Sequence, residues 1–239
     1  MTGELRIGTS GWSYPTGKGK WDGIFYPPKR GRAKSFDELA FYAEHFNTVE
    51  INSTFYGQPR AEVSRSWAQR TPANFEFAVK LYQKFTHPKM YAERLRQQVP
   101  ADLAASEDAL GAAMVEALGR PTGADLDEFR RGIDPLASAG KLGALLAQFP
   151  PSFKNSERER EYLTWLLNVF TGIPIAVELR HKSWSDAMGD TLALLNAHAA
   201  AWVMAGPVSP YFMLTMQAPM LGLSAGMAKA LTKRPPFSR

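Results

Sequence analysis

Two stretches decide the fold: Val49-Glu50-Ile51-Asn52-Ser53-Thr54-Phe55-Tyr56 and Ala176-Val177-Glu178-Leu179-Arg180-His181-Lys182-Ser183-Trp184. Each is a short apolar run carrying a carboxylate and followed by a polar and aromatic cluster. Such a run, rich in β-branched residues and succeeded by a helical pattern, reads as a buried parallel strand. A carboxylate at the point where such a strand leaves its sheet costs several kcal/mol unless it is paired or used, on the order of a buried charge in general. The two segments therefore predict an active-site architecture without naming a reaction.

Working outward, Leu5 to Thr9 reads as a first strand followed by the loop Ser10-Gly11-Trp12-Ser13-Tyr14-Pro15. Ser35 with Glu38 forms a capping-box pattern that predicts a helix to about Phe46. Strands are expected over Thr48–Asn52, Phe75–Lys80, Leu142–Phe149, Ile175–Leu179 and Ala200–Ala205. Helices are expected over Arg60–Arg70, Ser156–Phe170 and Ser183–His198. From about Pro88 to Ala139 the text turns to Ala, Glu, Asp and Arg and reads as a helical insertion (88–139) within a single domain spanning 1–239. Alternating strands and helices predict βαβ units and a parallel sheet. Neither G-x-G-x-x-G after the first strand nor G-x-x-x-x-G-K-[ST] occurs, which weakens a nucleotide-binding doubly wound fold. Polar residues at nearly every strand end favour a TIM-type (β/α) barrel with its site at the C-terminal face.

The words Ile7-Gly8-Thr9-Ser10-Gly11-Trp12-Ser13-Tyr14, Val49 to Tyr56, Phe77-Ala78-Val79-Lys80 with Thr86-His87, Lys141 through Phe153, and Val177 to Trp184 resemble the YecE-like family, domain of unknown function seventy-two. The resemblance runs over roughly residues 5 to 205 and implies a TIM-type barrel; it brings no reaction with it. Two departures stand out. The 90–139 segment is longer than the family pattern, and the family's late Arg-x-His-Gly word and Asn-rich strand end are missing. After Ala205 the text is rich in Pro, Met and Ala and free of acids, so residues 206–239 read as an atypical, truncated or frame-disturbed tail with an incomplete barrel before it.

Composition narrows the chemistry. The absence of Cys excludes disulfides, thiolate nucleophiles and Cys-ligated metal clusters. No apolar stretch predicts a membrane span or a signal segment, and a cytoplasmic protein is expected. The formal charge is +5, but Lys229, Lys233, Arg234 and Arg239 contribute four of those charges. A second basic concentration, Lys18 to Lys34, holds six bases against Asp22.

Glu50 and Glu178 are the candidate acid/base pair, since second- and fifth-strand ends of a barrel share one mouth; the alternative is that each is held by a neighbouring base, as Glu178 by Arg180. Lys80, Arg180, His87 and His181 would make that mouth positive and suited to a small phosphorylated or anionic ligand. Lys80 in a desolvated site could instead form a Schiff base. Gln148, Asn52 and Tyr56 add hydrogen-bonding groups, and Trp12, Tyr14 and Trp184 add rings, to the expected substrate-binding set. His181 and Glu178 lack a third metal ligand at recognisable spacing, and no cofactor is indicated.

The reading is an enzyme, a hydrolase or a lyase, acting by acid/base chemistry on an anionic substrate. One alternative is binding or processing of single-stranded or damaged nucleic acid. It rests on Trp12, Tyr14, Trp21, Phe25 and Tyr26, which alternate with Lys18, Lys20, Lys29 and Arg30 and offer stacking faces beside phosphate contacts. Another is an inactive remnant. If the tail is frame-disturbed, the coding DNA read in another frame will contain an Arg-x-His-Gly word; none in any frame sinks that expectation.

Overall fold

The computed structural model describes residues 5–14, 21–98, 117–205 and 213–216. Six strands form one sheet in the order β1 (Thr48–Ile51), β2 (Glu76–Lys80), β3 (Leu142–Phe149), β4 (Ile175–Leu179), β5 (Ala201–Ala205) and β6 (Met213–Met216). The first five run parallel, and β6 returns antiparallel beside β5. Among the described residues the sheet is open: no pairing joins its far strands back to β1. The α/β class and the parallel strands are as the sequence predicts; the closed barrel is not seen in this sheet, and β6 was not foreseen. Most of the 206–239 tail lies outside the described residues.

Alternation along each strand divides the side chains into two sets. Val49, Ile51, Phe77, Val79, Leu145, Ala147, Phe149, Ile175, Val177 and Trp202 join the main core. Leu146, Ala176, Ala201 and Val203, one position out of phase, form a second small cluster. Glu50, Lys80, Gln148 and Glu178 share that second phase. The strands are thus largely apolar on both faces, and Glu50, Lys80, Gln148 and Glu178 gather toward their C-terminal ends, as expected of a sheet covered on both sides.

Helices cover the main core. They are α1 (Glu38–His45), the single turn α2 (Ser53–Tyr56), α3 (Ala61–Gln69), α4 (Gln83–Thr86), α5 (Pro88–Gln98), α6 (Gly123–Ser138), α7 (Glu157–Val169), α8 (Lys182–Asp186) and α9 (Met188–Ala197). The predicted Ser183–His198 helix is two pieces, broken at Ala187. The predicted cap Ser35 is replaced by Asp37, whose Oδ1 accepts from the backbone N–H of Leu39 (2.9 Å) and Ala40 (3.0 Å). Asp37 wins because it also binds Arg70 Nε at 2.6 Å, tying the start of α1 to the end of α3. That bond to Arg70, ahead of the opposing effect of burial, holds its carboxyl below the usual aspartate range.

The predicted first strand docks against β1 by Glu50 N–H to Thr9 O (3.0 Å) and Gly11 N–H to Glu50 O (2.9 Å), with one regular bridge, Ser10 to Glu50. Asn47 side-chain bonds to Ile7 and Leu5 carry the rest. Gly8 is required here, because a Cβ would lie 2.0 Å from Thr48 O. Within the 88–139 stretch, α5 and α6 flank residues 99–116, which lie outside the described set. Thr122 and Asp125 form a capping box at the start of α6. Leu126, Phe129, Ile133 and Leu136 of α6 belong to the main core, so this helix is the crossover between β2 and β3.

Gly132 lets α6 approach the Pro59 backbone: a Cβ there would meet Pro59 O at 2.1 Å. Gly132→Ala is expected to destabilise the fold by about 1–3 kcal/mol, the cost of overpacking, read as a lower urea midpoint at unchanged slope. An unchanged midpoint would show that this contact does not constrain α6.

Candidate functional site

The C-terminal ends of β1 to β4 bring together a chain of polar side chains. Lys80 Nζ donates to Gln148 Oε1 at 2.7 Å, and Gln148 Nε2 donates to Glu178 Oε2 at 2.7 Å. Glu178 Oε1 accepts from Arg180 Nε at 2.6 Å. Gln148 and Glu178 are directly opposite in the β3–β4 ladder, which is why an amide can bridge a lysine on one side and a carboxylate on the other. Glu178 is only 2% exposed, whereas the Arg180 side chain is 42% exposed. Its Nε is spent on Glu178, and its two terminal nitrogens have no hydrogen-bond partner among the described residues.

Glu50 stands at the other side of this group. Its Oε1 accepts from Ser10 Oγ at 3.0 Å, and Ser10 Oγ in turn accepts from Asn52 Nδ2. Burial pushes the Glu50 carboxyl up from its ordinary value and the Glu178 charge adds to this, against the Ser10 bond and the Lys80 charge. Burial pushes the Lys80 amine down, with Arg180 in the same direction and Glu50 and Glu178 opposing. The His87 imidazole is pushed down to about 4 by burial first, then by Lys80 and Arg180. These mutual influences place Glu50, Lys80, His87, Glu178 and Arg180 in one electrostatic neighbourhood.

Phe55 completes the wall. Lys80 Nζ lies 4.6 Å from its ring centroid, and His87 meets the same ring edge-on at 5.0 Å. Phe55 and Ser10 were both within quoted motifs, yet neither stood out as a site residue, because nothing in their spacing says which face they take. The Thr54 hydroxyl, donating to Lys80 O at 2.6 Å, anchors the end of β2.

Other predicted residues go elsewhere. Trp184, expected in the substrate-binding set, is wholly buried, stacked on Phe153 at 5.6 Å with its Nε1 bonded to Phe153 O. His181 caps α8, its Nδ1 accepting from Ser183 N–H at 3.1 Å, and its Nε2 has no partner among the described residues. Tyr56 is 67% exposed. Trp12 packs edge-on against Trp67 of α3, and Tyr14 packs on Trp21 at 4.8 Å. Trp21, Phe25 and Tyr26 pack among themselves and onto α1 through Phe41 and Tyr42. The rings of the first loop are thus engaged in packing; Lys18 and Lys20 lie outside the described residues. No group of three His, Cys, Asp or Glu is arranged as a metal site among the described residues. No described helix is long and apolar enough to cross a membrane.

A parallel α/β sheet with its polar groups gathered at the C-terminal strand ends defines the class. Residues 6–233 match the family described as "Protein of unknown function DUF72", and the chain belongs to that family. It is 32% identical over 199 residues to UPF0759 protein YunF of Bacillus subtilis (strain 168), covering 83% of this chain and 58% of that protein. It is 33% identical over 83 residues to UPF0759 protein YecE of Escherichia coli (strain K12), covering 35% of this chain and 25% of that one. The chain therefore spans less than two thirds of the length of these curated relatives. A DUF72 family crystal structure from Thermotoga maritima MSB8 superposes with a TM-score of 0.59 at 28% identity, covering 88% of this chain and 68% of that one. One from Enterococcus faecalis V583 superposes with a TM-score of 0.59 at 22% identity, covering 87% and 65%.

His87 generates a pH prediction. The folded protein holds this imidazole neutral down to about 4, whereas the unfolded chain takes up its proton near the ordinary value of 6.5. Its contribution to stability is therefore complete above pH 6.5 and is lost as pH falls toward 4. Glu50, with its raised value, acts in the opposite sense, contributing below its unfolded value and losing that contribution as pH rises. His87→Gln is expected to flatten the decline in unfolding free energy between pH 6.5 and 4. An unaltered slope would show that His87 is not held neutral.

Proposed function

We propose that the protein is an enzyme, a hydrolase or a lyase of the cytoplasm, that performs acid/base chemistry on a small phosphorylated or otherwise anionic substrate. The site is the C-terminal end of β1 to β4. The observation that carries this reading is the pairing of two carboxylates in unlike surroundings. Glu178 has both oxygens bonded, to Gln148 and Arg180, while Glu50 keeps a protonatable carboxyl raised by burial. Unlike environments for two neighbouring carboxyl groups are how one site supplies both a fixed charge and a movable proton.

In this reading Glu50 moves the proton. Glu178 stays fixed and orients Arg180, whose terminal nitrogens, without a partner among the described residues, take the substrate's phosphate or carboxylate in a two-pronged contact. Lys80 and neutral His87 line the same space, with Asn52 and Ser10 setting the Glu50 rotamer. The parallel sheet is read as the greater part of a barrel: its second, small apolar cluster is the kind of inner layer that a barrel interior has.

The test is thermal unfolding against sugar phosphates and small carboxylates. A ligand that binds the folded chain alone stabilises it by about 2.7 kcal/mol at one hundred times Kd, and Arg180→Ala is expected to remove that shift. Glu50→Gln is expected to keep the melting transition and to lower turnover of the stabilising compound by roughly 100-fold or more. A panel without any shift, or a shift that survives Arg180→Ala, overturns the reading.

A further inference from the structure

Two buried lysines, Lys84 and Lys141, and the half-buried Lys80 are held in three different ways. Lys84 is ion-paired to Asp125 at 2.8 Å. Lys141 donates to Thr71 O at 2.6 Å and Thr71 Oγ1 at 3.0 Å, with a further bond to Ala68 O, closing the end of α3. Lys80 alone of these three has a single neutral acceptor, Gln148 Oε1; its Nζ also lies over the Phe55 ring. It has no ion-pair partner among the described residues, although it ends a strand beside two carboxylates. An ammonium in a site of this kind would ordinarily be given a carboxylate. Glu178 is instead engaged by Arg180 and joined to the amine through the intervening amide, and Glu50, whose charge also acts on Lys80, makes no ion pair with it among the described residues.

We propose that Lys80 is an amine nucleophile that forms a Schiff base with an aldehyde or ketone whose phosphate or carboxylate is held by Arg180. This rests on the reading of the strand ends as an active site and names the substrate class for it. Burial, with the Arg180 charge in the same direction and the Glu50 and Glu178 charges opposing, pushes the amine down toward the neutral form that the step needs. Gln148 Oε1 accepts one amine hydrogen and so orients the nitrogen lone pair.

The nitrogen adds to the carbonyl carbon, and the protonated Glu50 carboxyl gives its proton to the carbonyl oxygen. The nitrogen, now positively charged, returns a proton to Glu50. The same carboxyl then protonates the carbinolamine hydroxyl, which leaves as water while the C=N bond forms. Neutral amine, carbonyl and carboxylic acid become iminium, water and carboxylate, with no oxidant or reductant involved. The carboxyl raised by burial is suited to both proton donations.

The deciding comparison of adducts uses the wild-type chain. The protein is incubated with glyceraldehyde 3-phosphate, dihydroxyacetone phosphate or pyruvate, reduced with sodium borohydride, digested and analysed by mass spectrometry. The expected result is a reduced adduct at Lys80 exceeding that at Lys182, whose side chain is 81% exposed. The excess is expected because burial favours the free amine at Lys80, against the opposing charges of Glu50 and Glu178. Arg180→Ala is expected to lower the Lys80 adduct and leave Lys182 labelling unchanged. Adducts distributed by exposure, with Lys80 no higher than Lys182, overturn the proposal. The same samples without borohydride are melted in parallel. A ligand-induced shift without a Lys80 adduct overturns the Schiff base and leaves the anionic-substrate reading standing; no shift and no adduct overturn both.

Discussion

A carboxylate that is 2% exposed has to be paired, and the way Glu178 is paired organises the polar end of this sheet. Losing one partner of a buried charge leaves a cost of roughly 3–5 kcal/mol, so the bonds from Arg180 and Gln148 are conditions for Glu178 being there at all. Gln148 can reach Glu178 because β3 and β4 are in register at this pair. The other end of its amide then fixes Lys80. One register thus positions an acid, an amide and a base on three strands.

The same strands carry two apolar sets. The larger faces the helices, from Val49 and Phe77 to Phe149 and Val177. The smaller comprises Leu146, Ala176, Ala201 and Val203. Glu50, Lys80, Gln148 and Glu178 lie in phase with the smaller set and at its C-terminal limit, so the polar groups sit over an apolar floor. Such a floor lowers the local dielectric and accounts for the opposite displacements of Glu50 and Lys80.

The opposite demands of packing explain the first loop. Trp21 stacks on Tyr42, and Phe25 meets Phe41 and Phe46, so the aromatic text covers α1. Asp37 joined to Arg70 and Lys141 joined to Thr71 then close the ends of α1 and α3. An aromatic and basic segment therefore has a sufficient structural reason for its rings. The choice between stacking on a ligand and stacking on a helix was not legible before the helix was in place.

The local text by itself determined β1 to β5. Leu142–Phe149 and Ile175–Leu179 have the predicted bounds, because short apolar runs bounded by Gly, Pro and polar residues leave few alternatives. It also marked Glu50, Lys80, Gln148, Glu178 and Arg180, since charged and amide groups at the ends of such runs are conspicuous. Tertiary structure decided the rest. It gave the cap to Asp37 because Arg70, distant in sequence, offers a partner that Ser35 lacks. It sent Trp184 into the core because Phe153 supplies both a stacking face and an acceptor. It added the antiparallel β6 beside β5. It put Phe55 beneath Lys80 because strand register and the turn after β1 determine which side chains share a wall. Periodicity tells a residue's face relative to its own strand. Which residues of other strands meet it there depends on register and long-range pairing, and those are properties of the assembled sheet.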